Sequence, residues 1–263
     1  MTETTMSTWT EQLVEVAGVQ LHLLRGGAGD PLLVLPHEIG SPGWLPFHQQ
    51  LGQRFEVVAP SHPGYDRSAR PEWMRSVRDV AVAYQWLLSD LKLDGVTVVG
   101  LGFGGWIAAE MATMAPQSFK RLILVGAMGV QPGDGEILDQ ALLNYIDYAR
   151  AGFADQGAFD QVYGAEPSTD QLETWDRNRE MSFRIAWKPY MYSQTLPHLL
   201  GGVKAPALVV WGAEDRIVPR SCGEQYARAL PNARLEIVQG AGHCVEMERP
   251  SELAQLIERF VTA

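Results

Sequence analysis

The chain has 263 residues, 46% hydrophobic and 20% charged, which suits one large domain with a substantial core. Its formal charge of −10 argues against nucleic acid or an anionic membrane as partner. Two cysteines, Cys222 and Cys244, are too few for a disulfide framework, and no run is apolar for the roughly 20 residues that a bilayer demands. The first eleven residues, Met1 to Glu11, are polar without a leader pattern, so a cytoplasmic location is expected.

Leu13–Val16 and Val19–Leu24 alternate in polarity around Ala17-Gly18, which predicts a β-hairpin. Pro31–Leu35 is a continuous apolar run, as in a parallel strand covered on both faces. The turn-rich loop Pro36–Trp44 follows and carries His37 and Glu38. A helix is expected from about Leu45 to Arg54, then strand Phe55–Pro60, then a long helix with apolar residues at Val77, Val80, Tyr84, Leu87 and Leu91. Val96–Val99 reads as a short buried strand, followed by four glycines (100, 102, 104 and 105) and an alanine-rich helix through Trp106–Ala112. Arg121–Gly126 is a sixth strand.

Residues 128–200 show no strand pattern; helical segments are expected at Glu136–Arg150, Ala158–Tyr163 and Thr169–Trp187. Strands resume at Ala207–Gly212 and Ala233–Val238, and helix Pro250–Val261 ends the pattern. Alternating strands and helices predict an α/β fold with a doubly wound, mostly parallel sheet. The expected division is a core of residues 1–127 and 201–263 with a helical cap, 128–200, inserted after the sixth strand over the carboxyl ends of the strands.

The strand–glycine–helix turn fits two kinds of site. Gly100, Gly102 and Gly105 match the dinucleotide pattern G-x-G-x-x-G, but that pattern belongs after the first strand, with an acidic residue about 20 positions on. Here the strand that follows ends in Val125-Gly126-Ala127, without a carboxylate. The other fit is the nucleophile elbow G-x-S-x-G, with Gly100 and Gly104 as outer glycines and Gly102 where the serine would stand. Downstream, Asp215 lies in a loop after a strand, and His243 lies in the glycine loop Gly240–His243 after the last strand.

In the order elbow, acid, histidine, the chain resembles the α/β-hydrolase family, in the capped branch that includes epoxide hydrolases, esterases and carbon–carbon bond hydrolases. The resemblance implies Asp215 as the acid, His243 as the base and Gly102 as the vacant nucleophile position. It also implies an oxyanion hole from the backbone N–H groups of Phe103 and Glu38. The chain departs from the family twice. Gly102 has no hydroxyl, and the usual His-Gly of the loop after the third strand is Pro36-His37, followed by Glu38.

Without a serine, no covalent intermediate starts at residue 102. An imidazole held by a carboxylate is still a competent general base. Three readings follow. His243 deprotonates a water in the space left by Gly102; or it moves a proton of the substrate in elimination, lyase or cyclisation chemistry; or the protein is a non-catalytic binder of a small ligand. His37 and Glu38 are candidate acid–base groups, or polar loop residues facing solvent. The spacing of His37, Glu38 and His243 resembles no metal-ligand set, and no metal or cofactor is expected. The expected partner is a small, fairly apolar molecule, with Trp106, Tyr145, Trp187 and Tyr190 as candidate substrate contacts and Arg184 or Lys188 for a carboxylate. A monomer or homodimer is expected.

Overall fold

The computed structural model describes residues 8–262, so Met1–Ser7 of the polar N-terminal stretch lie outside the described residues. Eight strands form one sheet: β1 (Trp9–Val16), β2 (Val19–Gly26), β3 (Asp30–Leu35), β4 (Phe55–Pro60), β5 (Val96–Leu101), β6 (Phe119–Val125), β7 (Ala207–Gly212) and β8 (Ala233–Val238). Their spatial order is β1-β2-β4-β3-β5-β6-β7-β8. The β1–β2 and β2–β4 pairings are antiparallel; all the others are parallel. All six residues of β5 are buried, as a central strand covered on both faces requires.

The helices are α1 (Pro46–Leu51), α2 (Val77–Asp90), α3 (Phe103–Met114), α4 (Tyr145–Ala151), α5 (Gln156–Tyr163), α6 (Thr169–Ala186), α7 (Leu196–Leu199), α8 (Arg220–Ala229), α9 (Val245–Glu248) and α10 (Pro250–Thr262). Alternation along each strand divides the core. Leu32 and Val34 face Phe47 and Leu51 of α1 and Leu253 and Ile257 of α10. Leu33 and Leu35 belong to the other side, with Tyr84 and Leu87 of α2 and Ile107 and Met111 of α3. Among the described residues no helix is long and apolar enough to cross a membrane.

Between β6 and β7 the described secondary structure is helical apart from a single β-bridge, Gly129 with Tyr192. The helix expected over Glu136–Arg150 is instead a single tight turn, Gln140–Leu142, followed by α4. Tertiary bonds override the local pattern. Leu138 N–H donates to Ile217 O at 2.9 Å, and the Tyr190 hydroxyl accepts from Gln140 N–H at 2.8 Å and donates to Leu138 O at 3.1 Å. Asn144 then restarts the helix by accepting Asp147 N–H at 2.8 Å.

One residue of α6 ties this segment to the loops that follow β3 and β4. Asn178, fully buried, donates to Ile39 O and to Asp66 Oδ1, both at 2.9 Å, and accepts Asp66 N–H at 2.8 Å. Asn178→Ala strips three partners at once in a buried place, so a loss of about 2–4 kcal/mol is expected in chemical denaturation. A change below about 0.5 kcal/mol, the scale of ordinary surface substitutions, would show that the tie carries no weight.

Candidate active site

The site is assembled at the carboxyl ends of β3, β5, β7 and β8. At the end of β5 the backbone reverses through Gly102, whose φ of 50° and ψ of −112° suit glycine. Gly102 N–H donates to Val125 O at 2.9 Å, and Gly102 O accepts Met128 N–H at 3.0 Å. Close approach explains a second glycine: a Cβ on Gly104 would lie 2.4 Å from Leu35 O. Gly104 N–H bonds Pro36 O at 3.0 Å, joining the elbow to the loop after β3. That loop is pinned by His62. Its Nε2–H donates to Pro36 O at 2.9 Å, and its Nδ1 accepts from the Tyr84 hydroxyl at 2.6 Å. Burial pushes His62 down to about 4, so it stays neutral in this structural role.

Asp215 and His243 meet. His243 Nδ1 lies 2.8 Å from Asp215 Oδ2, while Asp215 Oδ1 accepts the N–H groups of Ile217 and Val218, each at 2.9 Å. Glu248 holds the histidine loop by accepting Gly242 N–H at 2.6 Å and Asp155 N–H at 2.8 Å.

His37 and Glu38 do not face solvent; each is 1% exposed, as is His243. Nor is the place above Gly102 open for a water molecule. A Cβ built there would lie 2.4 Å from His37 Nδ1, 2.8 Å from Glu38 Oε2 and 2.8 Å from His243 Nε2. The neighbours have closed over the missing hydroxymethyl group, as close-packed interiors do. Glu38 Oε2 stands 3.7 Å from His243 Nε2 and 3.8 Å from His37 Nδ1. Its other oxygen accepts the Tyr148 hydroxyl at 3.0 Å. His37 Nε2 is in turn 3.1 Å from Glu246 Oε2. Three carboxylates and two imidazoles thus alternate through the protein interior: Asp215, His243, Glu38, His37, Glu246.

Sequence reasoning missed one member of this row, Glu246, and the tyrosine that bonds Glu38, Tyr148. Glu246 follows His243 by one turn, in α9, where it resembles the neighbouring acids. Tyr148 sits one turn along α4 from Tyr145, the residue singled out. Tyr145 instead bonds Asp176 on the surface, with Arg179 over its ring at 4.2 Å. Trp106 is buried in the core, its indole N–H on Glu110 at 3.3 Å. Trp187 is 41% exposed and packs on Phe183 and Tyr190. Tyr190 lines a groove with Pro132, Glu136 and Leu142. Of the four, Tyr190 is near enough to the row that burial and, with it, the Glu38 charge push its hydroxyl up. Arg184 is engaged with Glu72 at 2.8 Å. Phe103 packs its ring against Tyr65 and His62.

Burial disfavours the charge on His243, but Asp215 and Glu38 on its two sides overcome this and raise it to about 10. Burial likewise disfavours the Glu38 carboxylate, yet the His243 and His37 rings hold it down to about 2. A proton bound more tightly in the folded than in the unfolded chain stabilises below the unfolded value. The His243 contribution is therefore complete below its ordinary 6.5 and drains as pH rises through about 10. The Glu38 contribution is complete above its ordinary 4.5 and is lost as pH falls toward 2. Unfolding free energy should fall between about pH 6.5 and 10, by up to about 1.4 kcal/mol per pH unit. Denaturant titrations of the wild type and Asp215→Asn test this; a wild type no steeper than the variant in that window would overturn it.

A mostly parallel sheet with a glycine elbow, an acid after β7 and a histidine after β8 defines a hydrolase-type α/β fold. A family model described as "Alpha/beta hydrolase family" matches residues 24–256, and the chain belongs to that family. It is 29% identical to an uncharacterised protein of Mycobacterium tuberculosis (strain ATCC 25618 / H37Rv), across 96% of this chain and 81% of that one. It is 28% identical to 2-hydroxy-6-oxononadienedioate/2-hydroxy-6-oxononatrienedioate hydrolase 1 of Dechloromonas aromatica (strain RCB), across 98% and 100%. A crystal structure of a membrane phospholipase A, a bacterial virulence factor, superposes with a TM-score of 0.82 at 25% identity, covering 97% of this chain and 86% of that one.

Proposed function

We propose that this chain is a serine-less enzyme of the α/β-hydrolase family. In this reading it acts on a small, fairly apolar molecule by proton transfer through His243, with Asp215 orienting the ring and residues 128–200 serving as the cap. The observation that carries the reading is the 2.8 Å His243–Asp215 bond, kept in a chain whose nucleophile position holds Glu38 and His37 side chains instead of a serine. Glu38 Oε2 faces His243 Nε2 at 3.7 Å from beside the place a serine side chain would take, so an acid and a base confront each other across the spot where a substrate group would enter. Tyr148, reaching from α4 to Glu38, would report cap position to the acid–base pair.

Water activation directly above Gly102 requires His37 and Glu38 to move aside. Proton transfer on the substrate itself needs less rearrangement and is the preferred form of the chemistry. The Dechloromonas relative, named as a hydrolase of a hydroxy-oxo-dienedioate, places vinylogous oxo acids first among substrates to try. A second reading, a ligand holder without turnover, is favoured by one observation. A cavity of about 190 Å³ reaches His37 and Glu246 from behind, with Val34, Leu45, Leu101 and Met247 in its wall. That is roughly the size of cavities that take a benzene-sized guest. Turnover of a panel of oxo-dienoates, β-diketones, activated esters, lactones and epoxides, compared between wild type and His243→Gln, separates the two readings. Silence of the wild type across the panel, with saturable binding of a panel member, would replace the enzyme by the holder.

A further inference from the structure

The row of buried side chains has an unbalanced centre. His243 Nδ1 is committed to Asp215 at 2.8 Å and His37 Nε2 to Glu246 at 3.1 Å. Each ring therefore turns its second nitrogen toward Glu38 Oε2. These three atoms, His37 Nδ1, Glu38 Oε2 and His243 Nε2, are all buried and all lack a hydrogen-bond partner. Their separations of 3.8 and 3.7 Å are too long for direct N–H···O bonds. With the committed nitrogens donating to their carboxylates, the second nitrogen of each ring faces Glu38 Oε2 without a bond, and a cation taken up between them, in place of a proton, would engage all three atoms.

Their geometry has a common centre. All three atoms lie within 4.8 Å of one another, and the two separations from Glu38 Oε2, 3.8 and 3.7 Å, exceed only slightly the roughly 3.3–3.6 Å between donors that each stand about 2.0–2.2 Å from one tetrahedral ion. Contraction by a few tenths of an ångström would complete coordination. Glycine at 102 keeps a side chain out of this cradle, since a Cβ there would lie 2.4, 2.8 and 2.8 Å from the three donors. The outer partners also fit: ligating histidines characteristically give their other N–H to a carboxylate, as Asp215 and Glu246 are placed to accept here. Tyr148 bonds the other oxygen of Glu38 and fixes its orientation.

We propose that His37 Nδ1, Glu38 Oε2 and His243 Nε2 form a binding site for a divalent first-row transition cation, centred between these three atoms. Two histidines and one carboxylate are a donor set suited to zinc(II) or iron(II), with coordination positions left over. The alternative set, His37, Cys244 and Glu246, fits less well, because its Glu246 carboxylate is already bonded to His37 Nε2 at 3.1 Å. The site deepens the functional reading above, since the side chains there assigned to protons would hold a cation instead.

The test uses the full chain without a histidine tag, stripped with a chelator and dialysed separately against zinc(II), cobalt(II) and, without oxygen, iron(II). The expected result is about one equivalent per chain surviving desalting, with visible ligand-field bands for cobalt. His37→Ala should weaken cobalt binding at least about tenfold and abolish those bands; Glu246→Gln should weaken it about 10–100-fold with the bands kept. Less than about 0.1 equivalent of every ion in the wild type would overturn the site, as would undiminished binding with an unchanged spectrum in His37→Ala. If His37→Ala does not fold, the wild-type stoichiometry and Glu246→Gln decide. Metal content is read independently of turnover. A metal-free wild type that turns over substrate with dependence on His243 removes this site and keeps the functional reading; a loaded protein inactive on every substrate does the reverse.

Discussion

His243→Gln is expected to lose about 10²–10⁴-fold in turnover, the range that a positioned acid–base group supplies. Glutamine keeps a polar group of similar reach to Asp215, so folding should survive and the loss should fall on kcat rather than on KM. The pH profile is the sharper readout. With Asp215 and Glu38 holding the ring's proton up to about 10, a base role for His243 requires wild-type turnover to rise with pH toward that value. Glu38→Gln removes one of the two carboxylates, so the rise should begin at lower pH in that variant. A wild-type profile flat from about pH 6.5 to 10 would exclude His243 as the titrating base. Saturable binding of a panel member by the wild type and His243→Gln alike, with turnover by neither, would point to the ligand holder.

Much of this arrangement was legible in the sequence because it depends on local patterns. The apolar run of β5, the glycines behind it and the chain order of Asp215 and His243 all survive as strings of residues. What was not legible depends on phase and on filling. Tyr145 and Tyr148 lie one turn apart, and the one that reaches Glu38 is decided by where α4 starts. That start is set by the Asn144 cap and by the Leu138 bond to Ile217, a partner almost 80 residues away. Glu246 was hidden because an acid one turn after His243 reads like an ordinary exposed helix residue, whereas here it is fully buried on His37. The vacancy at Gly102 was misjudged for a packing reason. Sequence shows that a side chain is missing there; it does not show that His37 and Glu38, in a loop more than 60 residues earlier, close over the gap.

That closure makes Gly102→Ser the second large effect, and its expected outcome is damage rather than a rebuilt triad. The new Cβ would sit 2.4 Å from His37 Nδ1 and 2.8 Å from both Glu38 Oε2 and His243 Nε2, among side chains that are 1% exposed. It would also carry a side chain at a φ of 50°, where strain costs about 1–3 kcal/mol, while overpacking of a buried site adds about 1–3 kcal/mol more. For a chain of this length the melting temperature should fall by roughly 5–20 °C. Activity on an activated ester should stay absent, because the serine hydroxyl would compete with Glu38 for His243. The change that should restore the family's chemistry is Gly102→Ser combined with His37→Gly and Glu38→Gly, which empties the space the serine needs. In that triple variant a burst of acyl-enzyme on an activated ester is expected, with partial recovery of the melting temperature relative to the single variant. A single Gly102→Ser variant that is stable and shows the burst unaided would mean that His37 and Glu38 yield easily. The filled nucleophile position would then be a soft feature of the fold, not the core of its site.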